Sequence, residues 1–122
     1  MRITGDKRMN ILVELYLEDL KVKGTIKGEI DAFTAPLLRE KLSEIDLKEN
    51  LHVELDLTDV TYMDSTGLGV FVGFYKNASE SKVQMELTGL SSRLKRLFDI
   101  TGLGDIMDIQ TTNEEVKIDE TV

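Results

Sequence analysis

"LHVELDLTDVTYMDSTGLGVFVGFYKNAS", residues 51–79, decides the fold, because its periodicity changes midway. Residues 51–57 alternate apolar and polar at period two, the pattern of a strand with one buried face. From residue 65 onward Leu68, Phe71, Tyr75 and Ala78 recur at helical spacing. A strand that leads directly into a helix is half of a βαβ unit, so a sheet with parallel neighbours and covering helices is expected. The junction carries Asp64, Ser65, Thr66 and Gly67, a carboxylate and two hydroxyls where a helix must begin.

Upstream, "ILVELYL" (11–17) and "LKVKGTIKGEI" (20–30) both alternate at period two with only "ED" between them, which predicts an antiparallel hairpin. "TAPLLREKLSEI" (34–45) then places Thr34 as N-cap, Pro36 near the first turn, and Leu37, Leu38, Leu42 and Ile45 on one stripe. A first helix over 35–46 follows. Downstream, "KVQMELTGL" (82–90) reads as a fourth strand. "SSRLKRLFDITGLGDI" (91–106) reads as a third helix with Leu94, Leu97 and Phe98 inward and Gly102 as its C-terminal stop. The expected fold class is therefore α/β: one domain with a mixed four- to five-stranded sheet, an antiparallel opening hairpin, right-handed crossovers and three to four helices. Residues 1–8 read as a peripheral extension, 9–110 as the domain, and 111–122 as an acidic tail whose last residues fray.

Composition narrows the function. The chain has 122 residues, no cysteine, one histidine and no tryptophan, so thiolate metal sites, disulfides and cysteine nucleophiles are excluded. No apolar run approaches the ~18 residues of a transmembrane helix, and "MRITGDKRMN" lacks the apolar core of a signal peptide, so a cytoplasmic protein away from membranes is expected. With 23 acidic against 15 basic residues the formal charge is −8, which repels nucleic acid and favours a protein partner.

Ser65 can cap the helix it begins, since its hydroxyl or the Asp64 carboxylate can accept from free backbone N–H groups. The same position suits phosphorylation, because a phosphate there meets the positive end of the helix dipole and the N–H groups of Gly67 and Leu68. The helix also carries Gly67, Gly69 and Gly73, each costing about 1 kcal/mol relative to alanine in a helix interior. Thr66, Gly69, Gly73 and Asn77 fall on one flat face. Either a helix of the same domain packs closely there or a partner does.

Other chemistries lack parts. A serine nucleophile needs a base, and His52 opens the strand whose far end leads to Ser65, 13 residues away. "TGLGVFVG" follows a strand but is no clean three-glycine nucleotide fingerprint, so no cofactor is expected. Asp56, Asp59 and Asp64 can hold magnesium on paper, but read better as solvated strand-end residues. The "ED" at 18–19 matches the acidic pair of a phosphoaspartate receiver, yet a second strand follows at once and leaves no room for that fold's helix.

"GEIDAFTAPLLREKL" (28–42), "DVTYMDSTGLGVFVGFYK" (59–76) and "LSSRLKRLFDITGLGDI" (90–106) together closely resemble the bacterial anti-sigma factor antagonists, single STAS domains, and above all those of the general-stress sigma-B system. The resemblance spans about residues 9–110 in matching order, and the first eight residues lie before it. It implies partner switching: an anti-sigma factor, itself a serine kinase using magnesium and ATP, phosphorylates Ser65, and a PP2C-type phosphatase reverses this. The unmodified antagonist binds the anti-sigma factor and frees the sigma factor, so the chain is a kinase substrate rather than an enzyme, and a monomer when free. Asp31, Asp64, Thr66, Gly67, Leu68 and Gly69 match the family's contact region, and Gly73 extends the flat face beside it. Two other roles compete: a STAS subunit of a larger stress-sensing complex, and a small ligand-binding or catalytic α/β domain.

Overall fold

Three segments with alternating apolar residues build the centre of the sheet, and each buries its apolar set on the same side. In the computed structural model, which describes residues 2–8, 10–102, 104 and 108–111, strand β1 covers Arg2–Arg8, β2 Ile11–Glu18 and β3 Lys21–Ile30. Helix α1 covers Ala35–Leu42, β4 His52–Met63, α2 Ser65–Glu80, β5 Gln84–Leu90, α3 Ser92–Ile100 and β6 Asp108–Thr111. The strands lie in the sheet in chain order; β1, β2 and β3 pair antiparallel, and β3 through β6 pair parallel. This is the mixed α/β architecture expected, widened to six strands by β1 and β6 at the two edges. The segment read as a peripheral extension forms β1. It has no clean alternation, which an edge strand held by its ladder to β2 does not need.

The hairpin turn falls on Asp19 and Leu20, one residue later than its spacing suggests, because Glu18 pairs with Lys21 and Asp19 accepts a φ of 44°. Strand β4 is longer than the 51–57 expected. Its alternation breaks after Leu57 and again after Val60, and at both breaks the register to β3 slips: Thr25 and Lys27 face Asp56 and Asp59, while Gly28 and Glu29 face Val60 and Tyr62. Each slip inserts an extra β4 residue, a bulge that hides the strand from a period-two reading. The extension carries the chain to Met63, beside Ile30, where the site begins.

Helix α1 stops at Leu42, short of the expected residue 46. Ser43 donates to the Glu40 carbonyl, and the N–H groups of Glu44 and Ile45 reach back only three residues, to Lys41 and Leu42, a tightened turn that still buries Ile45. Thr34 stands at the N-cap position but makes no side-chain cap, a correction to the sequence reading. Helix α3 ends at Ile100, with Gly102 in the left-handed region at φ 83° and its N–H on the Asp99 carbonyl, so the stop at Gly102 holds. Leu94 and Phe98 are buried and Leu97 is partly so.

The helices cover one face of the sheet. Phe71 of α2 and Phe98 of α3, both fully buried, meet edge to face at 6.2 Å. The other face is wet, and carries the cross-strand charge pairs Lys23–Glu54 at 4.0 Å and Lys27–Asp59 at 3.9 Å, while His52 contacts Glu86 at 3.7 Å. Among the described residues no helix is long and apolar enough to cross a membrane. The tail reading falls on residues 112–122, outside the described residues, with only Thr111 placed, in β6.

Candidate functional site

The parallel strands β3 and β4 end side by side at Ile30 and Met63, and both chain exits are tied together there. The Asp64 N–H donates to the Ile30 carbonyl at 3.1 Å. Asp64 then caps α2: one carboxylate oxygen accepts from the Thr66 N–H at 2.9 Å and the Gly67 N–H at 3.1 Å. The cap is therefore Asp64, and Ser65 is the first helical residue, exposed, its hydroxyl without a hydrogen-bond partner among the described residues. Its hydroxyl is presented rather than used.

The capping geometry alters one expectation. The N–H groups of Gly67 and Leu68 are already taken, by the Asp64 carboxylate and the Asp64 carbonyl, the latter at 3.0 Å. A phosphate on Ser65 would meet a helix start whose Thr66, Gly67 and Leu68 N–H groups are occupied and which carries the Asp64 carboxylate beside it. The dipole favours it and the neighbour opposes it.

Within the hexapeptide the residues divide by direction. Gly67 is buried on Ile30: a Cβ there would lie 2.5 Å from Ile30 Cγ2 and 3.0 Å from its carbonyl oxygen, so only glycine lets α2 sit this close to β3. Leu68 is buried as well. These two, expected in the contact segment, face inward and act by placing their neighbours. Thr66, Gly69 and Gly73 are exposed, and nothing lies within 4 Å of a Cβ built on either glycine. Among the described residues the flat face is thus open, and no helix packs closely on Gly69 or Gly73. Beside it runs a groove of about 170 Å³ lined by Arg39 and Leu42 from α1, by Ser43 just after it, and by Gly69, Gly73 and Asn77 from α2. On the inner side of α2, Val70, Phe71, Phe74 and Ala78 are buried and Tyr75 is half-buried; Val70 and Phe74 join the expected set.

Asp31 lies in the loop after β3, and its carboxylate works on that loop. Its Oδ1 accepts from the N–H groups of Phe33 and Thr34 at 2.9 and 3.0 Å, while Thr34 Oγ1 accepts from the Asp31 N–H and donates to the Glu29 carbonyl. This interlocked turn leaves Phe33 76% exposed. Sequence reading missed Phe33, although an aromatic residue amid the polar turn signals of "DAFT" was the available clue. It also missed Tyr62, 49% exposed, and Arg39 on the groove wall.

The carboxylates weighed as magnesium ligands have separate partners. Asp56 accepts from the Thr58 N–H and hydroxyl, Asp59 faces Lys27, and Asp64 caps α2. His52 contacts Gln84 and Glu86 at the start of β4, and a twelve-residue strand separates it from Ser65, roughly 40 Å of extended chain.

Residues 20–116 match the STAS domain. The chain is 47% identical to the anti-sigma-B factor antagonist of Listeria monocytogenes over 109 residues, 88% of this chain and 96% of that protein. It superposes on the crystal structure of an anti-sigma factor antagonist from Mycobacterium paratuberculosis with a TM-score of 0.68 at 24% identity, covering 86% of this chain and 89% of the other. It also superposes on the Bacillus cell fate determinant SpoIIAA in the phosphorylated form, with a TM-score of 0.63 at 22% identity, covering 90% and 99%. The chain belongs to the STAS domain family and, within it, to the anti-sigma factor antagonists.

Proposed function

We propose that this chain switches partners through the phosphorylation state of Ser65. Unmodified, it binds an anti-sigma factor that is also a serine kinase, and the sigma factor held by that protein is released. Phosphorylated on Ser65, it lets the anti-sigma factor go, and a PP2C-type phosphatase restores the binding form. In this reading the chain is a cytoplasmic regulator, monomeric when free, and catalyses nothing itself.

The observation that carries the proposal is the division of work at the start of α2. Asp64 satisfies the backbone donors, so the Ser65 hydroxyl is exposed and uncommitted. A kinase can reach it without unfolding the helix. Thr66, Gly69 and Gly73 continue the exposed surface along α2, so a partner lying on that surface covers the phosphoacceptor as well. The names of the relatives agree: one is an anti-sigma-B factor antagonist, and one neighbour is described in a phosphorylated form. The test is intact mass measurement after incubation with the host's anti-sigma-B factor and MgATP. One added phosphate mapping to Ser65 supports the proposal, and none, or one mapping elsewhere, removes it.

A further inference from the structure

We infer that Phe33 is an anchor by which the chain docks on the kinase that modifies Ser65, and that Asp31 serves the interface by positioning Phe33. This rests on the reading of Ser65 as the phosphoacceptor of an anti-sigma factor, and adds to it a second, hydrophobic point of contact.

Phe33 is among the most exposed large apolar residues described, at 76%, with Ile100 at 75%. Exposure alone says little, but the two differ in setting. Phe33 belongs to a turn fixed from both ends: Asp31 Oδ1 accepts from the Phe33 and Thr34 N–H groups, and Thr34, itself buried, bridges the Asp31 N–H and the Glu29 carbonyl. The backbone under the ring is pre-organised, so a partner that buries the ring need not order the loop. Aromatic side chains on rigid supports are the residues that concentrate binding energy at interfaces.

The occupant follows from position. Ile30, three residues before Phe33, pairs with Met63, two residues before Ser65; the Asp64 N–H is bonded to the Ile30 carbonyl, and Gly67 packs on Ile30. Loop 31–34 and the first turn of α2 therefore leave the same end of the sheet side by side. A kinase whose active site covers the Ser65 hydroxyl extends over this loop. The Asp31 and Asp64 carboxylates flank the surface, so its partner pocket is apolar with a basic rim. Ile100, at the C-terminal end of α3, lies at the opposite end of that helix from Ser91, which adjoins the same sheet end, and serves as a control of equal exposure.

The experiment measures Kd for the host's anti-sigma-B factor with bound magnesium nucleotide, together with the steady-state kinetics of Ser65 phosphorylation. Phe33→Ala should raise Kd and KM at least about tenfold, leave kcat unchanged, and keep the melting temperature of the wild type. Phe33→Tyr, which retains the ring, should bind as wild type, and so should Ile100→Ala. Asp31→Asn keeps an oxygen acceptor for the turn and should retain most of the affinity. Asp31→Ala should lose it, without adding to Phe33→Ala in the double variant. Wild-type affinity and KM in Phe33→Ala, or an equal loss in Ile100→Ala, would overturn the inference while leaving the function intact. A loss in Asp31→Asn as large as in Asp31→Ala would assign the Asp31 charge to the partner directly and overturn its positioning role. If wild-type protein is neither bound nor phosphorylated, the functional reading fails and this inference with it.

Discussion

At Asp64 one carboxylate oxygen holds two backbone N–H groups, so Asp64→Ala should cost about 1 kcal/mol, read as a lower urea midpoint at unchanged m-value. Ser65 has no such duty, and Ser65→Ala should leave stability within about 0.5 kcal/mol of wild type while binding the anti-sigma factor in a form that ATP cannot dissociate. Equal destabilisation by the two substitutions would mean that the cap is shared. Gly67→Ala is of a different kind. Its Cβ would meet Ile30 Cγ2 at 2.5 Å and force α2 off β3, at about 1–3 kcal/mol. At this scale the sequence marked where the helix begins but not which way its first residues face. "DSTGLG" identifies the helix start, yet the assignment of the cap to Asp64, and of Gly67 and Leu68 to the interior, depends on the height at which α2 rests on Ile30, a tertiary distance with no local signature.

Helix α2 keeps two glycines where nothing among the described residues requires them. Gly69 and Gly73 face open space, so Gly69→Ala and Gly73→Ala should each stabilise the free protein by about 0.5–1 kcal/mol, seen as a raised melting temperature. A fall in stability would reveal a contact on that face. Gly73→Leu fills the groove beside Arg39 and Leu42, and should weaken binding to the anti-sigma factor more than it changes the melting temperature. Elements with a clean period were legible. β2, β3, β5 and the buried stripe of α1 follow their alternation or helical spacing, and α3 ends where Gly102 stops it. The second half of β4 was not, because two bulges shift its inward positions to Val60 and Met63 and erase the period on which strand recognition depends. β6 was hidden for another reason: a four-residue strand is too short to display a period.

For the molecule as a whole the charge of −8 sets the terms of encounter. Association with the anti-sigma factor should slow as salt rises from about 0.05 to 0.5 M while dissociation changes little, since screening acts on long-range steering more than on the formed contact. A salt-independent association rate would contradict this. Phosphorylation should leave the fold as it is: Ser65 is exposed, and the helix dipole and the Asp64 carboxylate act on a phosphate there in opposite senses. Its effect should therefore fall on the interface. A dianion in the middle of a contact surface must shed its water on binding, and a penalty of about 4 kcal/mol weakens the complex nearly a thousandfold. The most direct test is the Kd of protein stoichiometrically phosphorylated on Ser65, set against that of the unmodified protein, for the same anti-sigma factor. Partner switching through Ser65 predicts a loss of about a thousandfold with an unchanged circular dichroism spectrum. Equal affinity of the two forms would contradict it.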